Sequence, residues 1–143
     1  YLCQRKRFGE ADALFAQALA VPQIRDPSRT LLARGICQAL DGKLEDSERT
    51  LLRSFEVDPM NPATAVNLAE VLYRRADYER ARFYIRRANN VAEVVNAQTL
   101  WLAARIEQRL GNDNGVREFG RQLRGRFGDS REAGLFDKGQ FDE

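Results

Sequence analysis

Two stretches of the chain share one pattern of small, large apolar and polar positions. In GKLEDSERTLLRS, residues 42 to 54, and ADYERARFYIRRA, residues 76 to 88, a small residue (Gly42, Ala76) is followed two places on by Leu44 or Tyr78. Small or hydroxyl residues (Ser47 and Ser54; Ala81 and Ala88) then bracket a large apolar one, Leu51 or Ile85. With charged residues between them, these positions describe amphipathic helices. The pattern predicts helices over about 1–6, 8–21, 28–41, 44–57, 62–75, 78–90, 97–110, 113–126 and 130–138, and no strands. Asp26-Pro27 with Ser28 before an apolar run, and Asn61-Pro62, read as helix starts, because Pro is tolerated in the first turn and Ser or Asn can cap exposed amides. Asp129 and Ser130 mark another start.

The stretches stand 34 residues apart, and a period of that length with two amphipathic helices per unit resembles the tetratricopeptide repeat. In that scheme positions 8, 20 and 27 are small so that helices approach closely, while large residues at 4, 11, 17 and 24 fill the grooves. A unit numbered from Ser28 puts Gly35, Gly42, Leu44, Ser47, Leu51, Ser54 and Pro59 at the landmarks, and one from Pro62 puts Ala69, Ala76, Tyr78, Ala81, Ile85 and Ala88 there. A unit from Ala97 keeps Ala104 and Gly111 but has Asp113 at position 17 and Gly120 at 24, where Val116 and Leu123 serve only after a slip of three residues. The expected fold is therefore all-α, a right-handed tetratricopeptide superhelix of antiparallel helix pairs. Its division is a partial repeat 1–27, repeats 28–61, 62–96 and 97–128, and a capping helix 129–138, together one domain over 1–138 followed by a tail 139–143. In the partial repeat the apolar residues Phe8, Leu14, Phe15 and Leu19 are expected to seek cover from another chain, giving self-association at the N-terminal end.

The resemblance also says where a partner would sit. Tetratricopeptide superhelices bind along a concave face formed by the first helix of each pair. Here that face is expected to present Leu32, Ile36 and Leu40, then Val66, Glu70 and Tyr73, then Trp101 and Arg105. It runs from apolar at one end to basic at the other. The competing reading is that these apolar residues pack between helices, and for Trp101 an interior place is favoured.

Charge and composition narrow the chemistry. The chain has 143 residues, 23 basic and 21 acidic, for a net charge of +2 and no histidine. A near-neutral balance argues against a nucleic-acid partner, and the basic run of Arg105, Arg109, Arg117, Arg121 and Arg124 is interrupted by Glu107, Asp113 and Glu118. That run reads as a solvated, salt-bridged helix face. Two thiols without histidine do not make a zinc site, no phosphate-binding glycine motif or nucleophile–base pair occurs, and no cofactor, metal or catalytic residue is expected. No apolar run approaches the ~20 residues needed to span a bilayer.

Taken in order, YLCQRKRFGEADALFAQAL, RGICQAL, AEVLYRRADYERARFYIRRA, LWLAARIEQRLGN and GRQLRGRFGDSRE resemble the type IV pilus biogenesis pilotin lipoproteins, the PilF and PilW kind. The resemblance implies a non-catalytic adaptor on the periplasmic face of the outer membrane. Its partner would be the pilus secretin subunit, which it helps to localise and multimerise. It also implies that this stretch, itself soluble, belongs to a longer protein held to the membrane only by a lipid anchor outside it. An oxidising compartment would allow a Cys3–Cys37 disulfide between neighbouring units, against the alternative of two buried free thiols. A generic tetratricopeptide scaffold and a regulatory arm of a larger enzyme remain the other readings.

Overall fold

The computed structural model describes residues 2–22 and 26–142. Among these residues it holds eight α-helices, one short 3-10 helix and no strand. The helices are α1 (Phe8–Leu19), α2 (Pro27–Leu40), α3 (Leu44–Val57), α4 (Pro62–Arg74), α5 (Tyr78–Asn89), α6 (Ala97–Arg109), α7 (Asp113–Phe127) and α8 (Arg131–Asp137), with the 3-10 helix at Ala92–Val94. The helix expected over 1–6 is not one. Residues 2–6 form a single turn in which the Arg5, Lys6 and Arg7 amides donate to the Leu2 and Cys3 carbonyls, too short a hydrogen-bonded run to count as a helix. The helix expected over 8–21 stops at Leu19, and residues 23–25 lie outside the described ones.

Local chemistry sets the ends. The Asp26 carboxylate accepts from the Arg29 amide at 3.2 Å, and the Asn61 side chain from the Ala63 amide at 3.0 Å, each ahead of a proline in the first helical position. Asn96 and Thr99 exchange side-chain and backbone hydrogen bonds at 2.9 and 3.0 Å, a reciprocal cap at the start of α6. At the far end of the first helix of each pair the backbone turns left-handed, at Gly42 (φ +80°), Ala76 (φ 63°) and Gly111 (φ +73°). The next amide reaches back to close the helix, from Lys43 to the Gln38 carbonyl, Asp77 to Leu72 and Asn112 to Glu107. Lys6 (φ 60°) makes the same turn before α1.

Each helix packs on its neighbour in sequence, and the first helices of successive pairs also touch, α2 on α4 and α4 on α6. This is the helix-pair stacking of a tetratricopeptide superhelix. The close approaches occur at small residues. A Cβ on Gly35 would stand 2.6 Å from Leu51 Cγ, the Gly35 carbonyl accepts from Ser47 Oγ at 2.6 Å, and Ser54 Oγ donates to the Ser28 carbonyl at 2.7 Å. Leu51, Leu68 and Val71 form one buried cluster, and Leu72, Ile85, Leu102 and Ile106 belong to the next. Each such side chain removed from water stabilises the stack by about 1.5–3 kcal/mol before chain entropy is counted.

The third pair departs from the pattern for a visible reason. Its second helix begins at Asp113 without a slip, but Gly120 faces α8, and the Phe136 ring fills the space where a Cβ would be. The large residue has moved to Leu123, which is fully buried with Leu100, Trp101, Ala104, Ala133 and Leu135. Packing against a capping helix instead of another repeat has exchanged the small and large positions. Among the described residues no helix is long and apolar enough to cross a membrane.

Candidate functional site

The first helices of the last two pairs diverge enough to leave an open groove. Its floor is Val66, Leu102 and Trp101, and its walls come from the start of α4 (Asn61, Ala63), the start of α6 (Asn96, Gln98), and Arg131 and Glu132 of α8. Its volume is about 790 Å³, within the range of small-ligand sites. Glu70 and Arg105 face each other across it at 3.9 Å. The Arg105 guanidinium also lies between two aromatic faces, 5.0 Å from the Tyr73 ring and 5.6 Å from that of Trp101, which holds a cation over π-faces. The Arg105 Nε is buried without a hydrogen-bond partner.

Of the residues expected on the concave face, Val66, Glu70, Trp101 and Arg105 line this groove, and Tyr73 borders it through Arg105. Leu32, Ile36 and Leu40, one pair further toward the N-terminus, do not line it. Leu32 packs on the Leu51, Leu68 and Val71 cluster, Ile36 is half-buried, and Leu40 is 60 % exposed. Trp101 is both interior and part of the groove. It is 3 % exposed, with its ring stacked on Phe141 and meeting Phe136 edge-on.

Cys3 and Cys37 are joined by a disulfide, with Cα atoms 5.5 Å apart, and it ties the turn ahead of α1 to α2. The Arg34 guanidinium grips the Asp12 carboxylate from the same helix at 2.8 and 3.1 Å. That hydrogen bonding lowers the Asp12 pKa and raises that of Arg34. The Asp26 carboxyl is lowered in the same way, first by the Ser28 hydroxyl and then by the Arg29 amide.

The charge pattern concealed a buried group. Glu107 is no part of a solvated face, since its side chain is 2 % exposed. Arg82 donates to both its oxygens at 2.9 and 2.7 Å, Asn112 Nδ2 adds a bond at 2.8 Å, and Arg86 stands 3.4 Å away. The pairing raises the Arg82 pKa. Gly115 leaves room for the Glu107 stem, because a Cβ there would come within 2.9 Å of Glu107 Cγ. The one available signal was an acidic residue at repeat position 11, where an apolar side chain is usual. The second feature not foreseen is the C-terminal segment on α6, where Asp142 accepts from Arg109 at 2.7 Å beside the stacked Phe141. These contacts hold the described part of the tail against α6.

Stacked helix pairs, left-handed turns at a fixed repeat position and an inner groove make this a tetratricopeptide-repeat protein. Among solved structures the chain is similar to PilW, a widely conserved type IV pilus biogenesis factor. The two share 32 % sequence identity and a TM-score of 0.87 over 94 % of this chain and 62 % of that one. The fold is shared with Pseudomonas aeruginosa PilF (TM-score 0.83, 22 % identity, 96 % of this chain and 62 % of that). It is shared also with the Cut9–Hcn1 hetero-tetramer of the APC/C (0.75, 16 %, 99 % and 27 %). The chain thus spans under two thirds of the length of PilW and PilF. No protein-family profile and no curated protein sequence matches it.

Proposed function

We propose that the chain is the client-binding part of a type IV pilus pilotin, a non-catalytic adaptor at the periplasmic face of the outer membrane that receives the pilus secretin subunit and promotes its assembly. The observation that carries this reading is the groove between α4 and α6, with an apolar floor and a paired Glu70 and Arg105 on its walls. Such a surface suits an extended or helical peptide segment. Each large apolar side chain it covers adds about 1.5–3 kcal/mol before ordering costs, so three or four such contacts contribute about 5–12 kcal/mol toward holding the segment. The likeness to PilW supports the choice of pilus assembly over other adaptor roles, and the disulfide suits an oxidising compartment. The Glu107 cluster does not read as a reacting site. Its carboxylate is already held by two arginines and an asparagine and has no open face for a substrate.

The test is capture of purified secretin subunit by the immobilised chain and by Val66→Glu, with circular dichroism to confirm that the variant is helical. Capture by the parent and at least about tenfold weaker capture by the variant is expected, the cost of desolvating a carboxylate in an apolar contact. Equal capture by both removes the groove from the function, and no capture by either removes the secretin.

A further inference from the structure

The segment after α8 stays on the molecule but outside the groove, whose lining includes none of residues 139–142. Gly139 (φ +69°) turns the chain back, with its amide donating to the Phe136 carbonyl and the Gln140 amide to that of Leu135, both at 3.0 Å. The turn lays Phe141 on the Trp101 ring, with centroids 5.3 Å apart and planes 24° from parallel. Phe136 meets Trp101 edge-on at 6.5 Å and Phe141 edge-on at 5.9 Å. The Asp142 side chain that reaches Arg109 is 85 % exposed, and an ion pair this open contributes little in water. The ring stack therefore does most to fix the segment on α6. One turn along α6, the Arg105 guanidinium stands 5.6 Å from the Trp101 centroid and 5.0 Å from that of Tyr73. Its Nε is buried without a hydrogen-bond partner, and its ion-pair partner Glu70 is 3.9 Å away, beyond hydrogen-bond reach. A guanidinium bonded directly to a carboxylate keeps its place whatever the neighbouring rings do. Arg105 is placed by two π-faces and a loose ion pair instead, so a tilt of the indole moves it.

We propose that Phe141 is a positioning residue for client binding: stacked on Trp101 from outside the groove, it sets the tilt of that ring and, through it, the place of Arg105 on the groove wall. Trp101 and Arg105 both line the groove, so the effect of Phe141 reaches the client without Phe141 touching it. This rests on the adaptor reading above and adds to it a residue that keeps the site in shape. Stacking and simple burial make different predictions here. A leucine at 141 covers much of the same apolar surface but presents no flat face to the indole, whereas a tyrosine keeps the face.

The experiment compares the full chain with Phe141→Leu and Phe141→Tyr, each checked for helix content by circular dichroism. The first readout is the Arg105 Nε–H signal in proton–nitrogen correlation spectra, identified by its loss in Arg105→Lys. That proton lies against two ring faces in the parent, so ring currents shift its signal upfield. The second readout is capture of purified secretin subunit. Phe141→Leu should return the signal toward that of a solvated arginine and weaken capture about threefold to fivefold, the scale of one lost cation–π contact. Phe141→Tyr should leave both as in the parent. If Phe141→Leu does not fold, Phe141→Met takes its place with the same expectation. A signal unmoved by Phe141→Leu overturns the proposal and leaves the segment a purely structural cap. Equal capture by parent and Phe141→Leu after the signal has moved overturns it too. Absence of capture by the parent removes the adaptor reading instead, and the Arg105 signal still decides whether Phe141 sets that residue's place.

Discussion

The first and the last helix of the described stack are held by different means. At the C-terminal end the cover is packing: α8 lies on α6 and α7, Phe136 fills the space at Gly120, Leu123 is fully buried, and Phe141 closes over Trp101. At the N-terminal end little is buried. Within α1 only Ala11 is buried, and Leu14 is 55 % exposed. What holds α1 there is chemistry more than burial, namely the Cys3–Cys37 disulfide and the Asp12–Arg34 pair.

The contrast predicts where each end fails. Reduction, or Cys37→Ser, should cost the most. Opening a loop of 34 residues removes about 4 kcal/mol on the chain-entropy account. Denaturant unfolding with and without reductant measures this, and proteolysis should cut first around α1 while α6–α8 stay protected. Second is the buried ion pair in the middle of the stack. Arg82→Ala leaves the Glu107 charge interior with only Arg86 and Asn112 to answer it, for a loss of about 3 kcal/mol. Glu107→Gln removes the charge itself and should cost less, and the order of the two in thermal melts decides the matter. Third, Gly120→Val drives a side chain into the Phe136 ring and should destabilise the C-terminal end by about 2 kcal/mol. Adding Phe136→Ala should recover part of that loss, because the two residues share one space.

The smallest effect belongs to Asp12. Its folded pKa lies below the unfolded value, so its contribution is present in full above the unfolded value and is lost as pH falls through the folded one, below about pH 4. The stability gap between parent and Asp12→Asn should therefore narrow on acidification. Because Asp12 is close to half exposed, the gap is modest even at neutral pH.

The helices of this protein were open to reading from sequence along nearly the whole chain, and what was missed is packing detail and the turn at residues 2–6. Helices α2 to α5 follow from alternating small and large residues and from Asp-Pro and Asn-Pro starts, all local signals. The turn at residues 2–6 carries a helical pattern but too few residues to propagate one. In the third pair the exchange of Gly120 and Leu123 looked like decay of the repeat. It is instead an adaptation to Phe136, which lies 16 residues away and is invisible to a periodic template. Glu107 was misread because a charge on a helix does not announce which face it is on, and its partners Arg82 and Arg86 come from the preceding pair. Val66, Glu70, Trp101 and Arg105 were expected on one face from repeat position, and they line one groove. The contacts of Phe141 and Asp142 gave no such signal, since a segment without periodicity is located only by what it touches.

The central claim is that clients are held on the inner face between α4 and α6. Hydrogen–deuterium exchange of the chain with and without secretin subunit tests it most directly. The account predicts slowed exchange in Pro62–Arg74 and Ala97–Arg109, with α3, α5 and α7 unchanged. Protection confined to α3, α5 and α7 would contradict it.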